Sequence, residues 1–143
     1  MAKARRAGWS TQKQSVVDRL FVYGSLRSGE IARSLIADYV QRSERATGSG
    51  VLYAFLDGYP GLLEEGDDTV VGEVLWLDNL AAALPLLDAY EGDDFIRILK
   101  EVELESGGIQ WCWAYVLADE RFASGAEKIA GGDWVKWRRD NDL

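Results

Sequence analysis

The chain has 143 residues, of which 48% are hydrophobic, and a formal net charge of -8, so it fits one domain with a substantial core and leaves no room for two. It contains no histidine, which excludes Ser-His, Cys-His and His-metal mechanisms. Cys112 is its single cysteine, which excludes an internal disulfide and a thiolate metal cluster.

The first 17 residues predict a basic, flexible leader. Its cations, such as Lys3, Arg5 and Lys13, are scattered over a polar, turn-prone stretch, whereas nucleic-acid binding needs cations clustered on a folded face. No apolar run approaches the ~18 residues of a membrane span, and no apolar signal region follows the basic residues. We therefore expect a cytoplasmic protein without nucleic-acid or membrane partners.

The next segments predict a strand, a turn and a helix. Residues 20–23 are an apolar run typical of a short buried strand. Ser28 is suited to cap a helix, because Ile31, Leu35 and Tyr39 follow it at helical spacing.

The middle of the chain predicts two more strands and a second helix. A strand is expected over residues 51–56, and Tyr59-Pro60-Gly61 has the chemistry of a tight turn. Residues 69–77 alternate as in a strand that is covered on both faces. Asp78 is suited to cap the following helix, which Gly92 is expected to end.

The last strands form a predicted hairpin, since the alternating segments 95–104 and 109–117 flank a Ser-Gly-Gly turn. A majority of strands with two helices predicts an α+β fold, with a mixed, curved, barrel-like β-sheet and flanking helices. We place this single domain at residues 18–134, between the leader and a polar tail at 135–143.

Glu91 has unusual predicted surroundings for an acid. It follows Leu87 and Tyr90 at the carboxyl end of the predicted helix, where the helix dipole disfavours a second negative charge. Both this effect and burial would raise its pKa toward neutrality, as general acid/base catalysis requires. A solvated glutamate at a helix end is the alternative, and Asp88, three residues earlier, is a competing candidate.

Glu73, Arg27 and Arg97 are candidate supporting residues. Glu73 lies between apolar neighbours in a predicted strand, so an inward-facing carboxylate would need a partner such as Arg27 or Arg97. A structural ion pair and a catalytic role are both open at this point. Arg97 shares a strand face with Phe95 and Leu99, where it would cover apolar surface or neutralise a buried acid.

The stretch FVYGSLRSG, residues 21–29, ends a predicted strand in a turn that carries almost no side chains. Its glycines match neither the phosphate loop nor the dinucleotide-binding fingerprint, which disfavours a cofactor role. Exposed N-H groups at such a turn can bind an anion or oxyanion, and the N-terminus of the following predicted helix would add positive potential. An ordinary connecting turn is the alternative.

Aromatic residues alternate along the last predicted strand. Trp111, Trp113 and Tyr115 share one face, a pattern typical of core packing. Cys112 lies on the other face and is expected to be a small buried hydrophobe, because no histidine or neighbouring base activates it.

Six motifs follow one another along the chain after its leader: FVYGSL (21–26), GYPGL (58–62), GEVLWL (72–77), LLDAYEGDDFIR (86–97), WAYV (113–116) and GGDW (131–134). In this order they resemble the gamma-glutamylcyclotransferase-like family. The glycine turn followed by the Tyr-Glu-Gly helix end is the most specific part of the resemblance. Phe95 departs from the pattern, since many relatives have a tyrosine at this position.

The resemblance implies a small mixed β-barrel with flanking helices, an enclosed cavity, and no metal or organic cofactor. It implies an enzyme that releases 5-oxoproline from a small gamma-glutamyl substrate. In that family a matching glutamate is the acid/base and the glycine turn holds the gamma-glutamyl group. The implied residues are Glu91 for acid/base catalysis and Tyr23, Gly24, Ser25, Leu26 and Tyr115 for substrate binding.

Several points stay open on the sequence alone. The leaving group is either an amino acid or another amine, and the protein is either a monomer or a homodimer. A non-catalytic protein of the same fold that binds a small carboxylate or amide metabolite is the alternative function.

Overall fold

Five strands close into a barrel, and a three-stranded sheet lies beside it. The structure is a computed structural model that describes residues 18–30 and 32–141, so the predicted leader lies outside the described residues. The strands are β1 (Arg19–Val22), β2 (Val40–Ser49), β3 (Val51–Ala54), β4 (Pro60–Leu63), β5 (Thr69–Leu77), β6 (Phe95–Leu104), β7 (Ile109–Leu117) and β8 (Glu127–Lys128). The α-helices are α1 (Leu80–Glu91) and α2 (Trp134–Asp140).

The barrel has the strand order β1-β5-β2-β6-β7, and the smaller sheet has the order β4-β3-β8. β1 pairs antiparallel with β5 and closes the barrel through a parallel pairing with β7, in which Leu20 faces Trp113. The predicted α+β fold with a barrel-like sheet and flanking helices is confirmed. Within the described residues, neither α1 nor α2 combines the length and apolar character that a bilayer crossing requires.

Successive strand residues belong alternately to two hydrophobic clusters. On β7, Trp113 and Tyr115 pack in the cluster that also holds Leu87 of α1, whereas Cys112 and Ala114 pack in the other. The expectation that the aromatic stripe is core is confirmed for Trp113 and Tyr115, which are buried, while Trp111 is partly buried against the same cluster. Burial raises the pKa of the Cys112 thiol to about 12, in line with an inert side chain.

The helix predicted after Ser28 is wrong for the residues that the structure describes; Ile31, one of its predicted positions, lies outside them. The chain instead forms two 3-10 helices, Arg33–Leu35 and Ala37–Tyr39, and then the ten-residue strand β2. The Ser28 N-H donates to the Glu73 carboxylate at 3.1 Å, which ties this segment to β5 before an α-helix begins. β2 escaped prediction because its buried positions, such as Ala46, are small and its other residues are largely polar.

The turn predicted at Tyr59-Pro60-Gly61 is displaced, and the chain reverses just before it. Phe55 N-H donates to the Tyr59 carbonyl at 2.9 Å, and Gly58 has the positive φ of 89° that the reversal needs. Pro60 begins β4, which tolerates a proline because it is an edge strand of its sheet.

The second predicted helix is confirmed as α1, and it ends at the predicted residue. Gly92 terminates α1 with φ 76°, and its N-H donates to the Asp88 carbonyl at 3.1 Å. The predicted Asp78 cap is wrong, since Asn79 precedes the helix and the Asp78 N-H donates to the Tyr39 carbonyl. The β6–β7 hairpin has the predicted bounds, and α2 occupies part of the stretch expected to be a polar tail.

Candidate active site

A cavity of about 310 Å³ opens where the end of β1 meets the end of α1. Its walls are the segment 21–26, residues 59–60 of the β3–β4 hairpin, residues 90–91 at the end of α1, residues 94–95 at the start of β6, and Tyr115. These segments are distant in sequence, and the barrel with its helix α1 brings them together. The cavity therefore joins the glycine turn and the helix end that the sequence singles out.

The turn after β1 has unoccupied backbone donors beside the cavity. Among the described residues, the N-H groups of Gly24, Ser25 and Leu26 donate to no protein acceptor. The next two donors are occupied, because Arg27 N-H bonds the Gly24 carbonyl at 3.0 Å and Ser28 N-H bonds Glu73. Three consecutive N-H groups are therefore free to bind a carbonyl or an anion, without help from the helix that was predicted there.

Gly24 is needed for close packing. A Cβ added at this position would lie 2.6 Å from the Cγ atom of Pro60, nearer than van der Waals contact allows. The proline that begins β4 thus sits directly against the turn and helps to form the cavity wall. The two motifs YGSL and GYPGL meet at this contact.

Tyr23 is held by two hydrogen bonds at its hydroxyl group. The hydroxyl donates to the Tyr115 carbonyl at 2.7 Å and accepts from the Leu62 N-H at 3.2 Å. Burial, followed by the nearby charge of Glu91, raises the pKa of the Tyr23 phenol. Tyr23 therefore ties β1, β4 and β7 together and contributes its ring to the cavity wall.

Glu73 lies behind the turn rather than in the cavity. It forms ion pairs with Arg33 at 3.1 Å and Arg27 at 3.5 Å, and its carboxylate also accepts the Ser28 N-H. Arg27 is buried, lies outside the cavity lining, and also pairs with Asp133 at 2.8 Å. Of the two partners proposed from the sequence, Glu73 takes Arg27 and not Arg97, and the cluster ties the turn to β5.

Arg97 pairs with Asp88. The Arg97 Nε atom lies 3.3 Å from Asp88 Oδ1, and the guanidinium lies 4.9 Å from the centre of the Trp113 ring. The same Asp88 oxygen accepts the Tyr115 hydroxyl at 2.5 Å. Burial, followed by this hydrogen bond, raises the pKa of Tyr115. Asp88, the competing acid, is therefore buried, accepts a hydrogen bond from Tyr115 and forms an ion pair with Arg97.

Glu91 is the last residue of α1 and lines the cavity. It lies one turn beyond Asp88 on the buried stripe of the helix, which continues from Ala83 and Leu87. Among the described residues, its carboxylate has neither an ion pair nor a hydrogen bond. Burial without a compensating partner raises its pKa from 4.5 to about 7, the direction expected from the sequence.

Sequence reasoning missed five residues of the cavity wall: Tyr59, Pro60, Tyr90, Asp94 and Phe95. Tyr90 connects two motifs, because its hydroxyl lies 2.7 Å from the Ser25 hydroxyl. Tyr59 and Pro60 were assigned to a turn, and nothing in that assignment indicates that they line a cavity. Nothing in the sequence indicates that Asp94 faces a cavity.

The site combines three free N-H donors with a carboxyl group whose pKa is close to neutral. Such an arrangement can bind a carbonyl or anionic group and move a proton beside it. No group of three or more potential metal ligands occurs in the described part of the chain.

Comparison with protein families gives a match over most of the chain. Residues 20–136 match the family described as "Gamma-glutamyl cyclotransferase, AIG2-like". The gamma-L-glutamyl-butirosin B gamma-glutamyl cyclotransferase of Niallia circulans is 34% identical over 127 residues, which are 83% of this chain and 76% of that protein.

Solved structures share the fold. YkqA from Bacillus subtilis superposes with a TM-score of 0.69 at 27% identity over 87% of this chain, which spans 42% of that protein. An AIG2-like protein from Mus musculus has a TM-score of 0.57 at 25% identity, with 71% of this chain and 77% of that protein covered.

Proposed function

The chain belongs to the gamma-glutamyl cyclotransferase, AIG2-like family, and we propose that it releases 5-oxoproline from a gamma-glutamyl amine or gamma-glutamyl amino acid, with Glu91 as the general acid/base. The observation that carries this proposal is the pairing of an unpartnered Glu91 with the free N-H groups of residues 24–26 in one cavity.

A gamma-glutamyl substrate contains both reacting groups. Its α-amine attacks its own γ-carbonyl carbon, a C-N bond closes the five-membered ring, and the bond to the departing amine breaks. The protein must hold the chain in a ring-forming conformation, which is worth roughly 7 to 11 kcal/mol in favourable intramolecular reactions. A cavity of about 310 Å³ is of a size that holds such a small substrate.

Glu91 would transfer the proton. The α-ammonium group must lose a proton before it can attack, and the departing nitrogen must gain one, so one carboxyl group can serve both steps. Because burial raises the pKa of Glu91 to about 7, the residue exists in both protonation states near neutral pH. We expect kcat/KM to rise with pH through this region, as the carboxylate form becomes available.

The free N-H groups of the turn would bind negative charge. They suit the oxyanion of the tetrahedral intermediate or the α-carboxylate of the substrate, and both are anions of the right size for successive backbone donors. Removal of one oxyanion donor typically costs about 3 to 4 kcal/mol of transition-state stabilisation. The turn would therefore matter to the rate on the same scale as the base.

The remaining candidates have distinct proposed roles. Tyr23 and Tyr115 shape the cavity wall, and Asp88 orients the Tyr115 hydroxyl. Arg97 acts through Asp88, while Arg27 and Glu73 support the turn from behind. Arg27, Glu73 and Arg97 are thus positioning residues rather than catalytic ones.

The proposal is tested by incubating the full chain with gamma-glutamyl amino acids, gamma-glutamyl amines and glutathione and measuring 5-oxoproline. Release from at least one of them supports the proposal. If the cavity only binds its ligand, a gamma-glutamyl compound would raise the melting temperature without product, by an amount that follows RT ln(1 + [L]/Kd). That result would replace the enzyme with a binding protein.

A further inference from the structure

Part of the cavity wall is aromatic. Phe55 and Tyr59 stack with ring centres 4.9 Å apart and planes at 20°, and Tyr59 lies 6.5 Å from the Phe95 ring. Tyr59 and Phe95 both line the cavity, as does Tyr90. Aromatic faces of this kind attract ammonium and guanidinium groups.

The charged residues of this wall are acidic. Asp94 lines the cavity, is exposed, and has no ion pair within residues 18–30 and 32–141. Burial of Tyr59, followed by the charges of Asp94 and Asp57, raises the pKa of the Tyr59 phenol, which places both carboxylates near that ring. Two carboxylates therefore lie beside the aromatic wall.

No lysine or arginine inside the cavity balances these carboxylates, because the described lining residues include neither. The three arginines whose acid partners contact the turn or Tyr115 are themselves paired: Arg27 and Arg33 with Glu73, and Arg97 with Asp88. A carboxylate bound beside Tyr59 would thus meet like charges and no cation.

The proposed function orients the substrate with respect to this wall. With the glutamyl α-carboxylate or the oxyanion at residues 24–26 and the reacting nitrogen beside Glu91, the lining left for the departing amine includes Tyr59, Asp94 and Phe95. This step rests on the proposed cyclotransferase reaction.

We infer that the leaving group is an amine that carries a second, positive charge, which the aromatic rings of Tyr59 and Phe95 and the carboxylate of Asp94 bind. The site thereby selects gamma-glutamyl derivatives of diamines or larger polycationic amines over gamma-glutamyl amino acids, whose leaving group carries a carboxylate. Asp94 is the specificity-determining residue of this wall.

Three substrates of equal length isolate the charge. Gamma-glutamyl amides of 1,4-diaminobutane, n-pentylamine and 5-aminopentanoate place an ammonium, a methyl or a carboxylate group after the same four methylenes. For the wild-type chain we expect kcat/KM to fall in that order, with about tenfold or more between the ammonium and carboxylate substrates.

Asp94→Asn tests the residue, and Asp67→Asn is its matched control. Asp67 is an exposed acid on the β4–β5 loop, away from the cavity, and its replacement changes the net charge equally. Asp94→Asn is expected to reduce the preference for the ammonium substrate about threefold or more, whereas Asp67→Asn leaves it unchanged. If both variants reduced the preference for the ammonium substrate equally, the effect would be one of net charge, and the role of Asp94 would be overturned.

The failures of the two proposals are distinguishable. Release of 5-oxoproline from all three substrates at equal rates, or faster from the carboxylate substrate, overturns the inference and leaves the cyclotransferase reaction standing. Absence of 5-oxoproline from every gamma-glutamyl compound rejects the reaction, and with it the inference. The wild-type comparison needs no variant, so a folding defect in Asp94→Asn cannot obscure it.

Discussion

The two sides of the turn at residues 23–28 surround a glutamate differently. Behind the turn, Glu73 contacts two arginines and a backbone N-H. On the cavity side, Glu91 has no such partner within residues 18–30 and 32–141, and burial raises its pKa to about 7. Identical side chains thus lie in different surroundings: the Glu73 carboxylate is paired with cations, whereas the Glu91 carboxyl group is removed from water without a counter-charge. Its ion pairs suit Glu73 to support the turn, and the lack of an ion pair suits Glu91 to proton transfer.

The largest expected effect of this difference is on catalysis. Glu91→Gln should lower kcat at least about 100-fold, because an amide of nearly the same size cannot transfer the proton. Glu73→Gln should lower kcat by less than about tenfold, since it weakens only the support of the turn. Steady-state 5-oxoproline release measures both variants.

Equal losses of kcat in the two variants would remove the functional distinction between the glutamates. Unchanged turnover in Glu91→Gln would reject Glu91 as the acid/base and leave Asp88 as the candidate.

The two glutamates are expected to affect the free energy of unfolding with opposite signs. Between pH 4.5 and about 7 the unfolded chain releases the Glu91 proton while the folded protein retains it, so this residue lowers stability as pH rises through that window. Glu91→Gln should therefore gain up to about 3 kcal/mol at pH 8 and nothing below pH 4.5. Glu73→Gln should lose about 2 kcal/mol at pH 8, because it leaves partly buried arginines without their counter-charge.

Urea unfolding of both variants and the wild type at pH 4 and pH 8 measures these differences. A Glu91→Gln variant that loses stability at pH 8 would show that the carboxylate has a stabilising partner, and would contradict the contrast with Glu73.

A smaller effect is expected where the turn meets β4. Gly24→Ala should cost about 1 to 3 kcal/mol of stability, because its Cβ would overlap the Pro60 ring. Pro60→Ala removes the overlapping Cγ atom, so the double variant should be less destabilised than the sum of the two single variants. Thermal unfolding of the three variants measures this coupling. If the stability losses of the two single variants simply added up in the double variant, contact with Pro60 would not be the reason why position 24 needs glycine.

Patterned elements were predictable, and weakly patterned ones were not. β5, the β6–β7 hairpin and the glycine end of α1 follow from alternation and from glycine chemistry. β2 was missed because its inward positions are small. The helix expected before β2 is replaced by two 3-10 helices, in a segment that the Ser28 N-H ties to Glu73 of β5. Long-range pairing therefore overruled a local signal.

The candidate site divides in the same way. The glycine turn, Glu91 and Tyr115 could be selected from the sequence, through turn chemistry, a helix end and the family resemblance. The pairing of Tyr115 with Asp88 spans 27 residues and that of Arg33 with Glu73 spans 40. Such contacts depend on strand register and helix docking, which local patterns do not encode.

By itself, the sequence determined which chemistry was available: a chain without histidine leaves proton transfer to groups such as carboxylates, and Glu91 ends a helix at a glycine. Only the tertiary structure decided which carboxylate is free. Glu73, Asp88 and Glu91 are all flanked by apolar residues in the sequence, yet the fold supplies arginines to the first two and a cavity to the third. Proton affinity depends on the three-dimensional neighbours of a carboxylate and on its access to water.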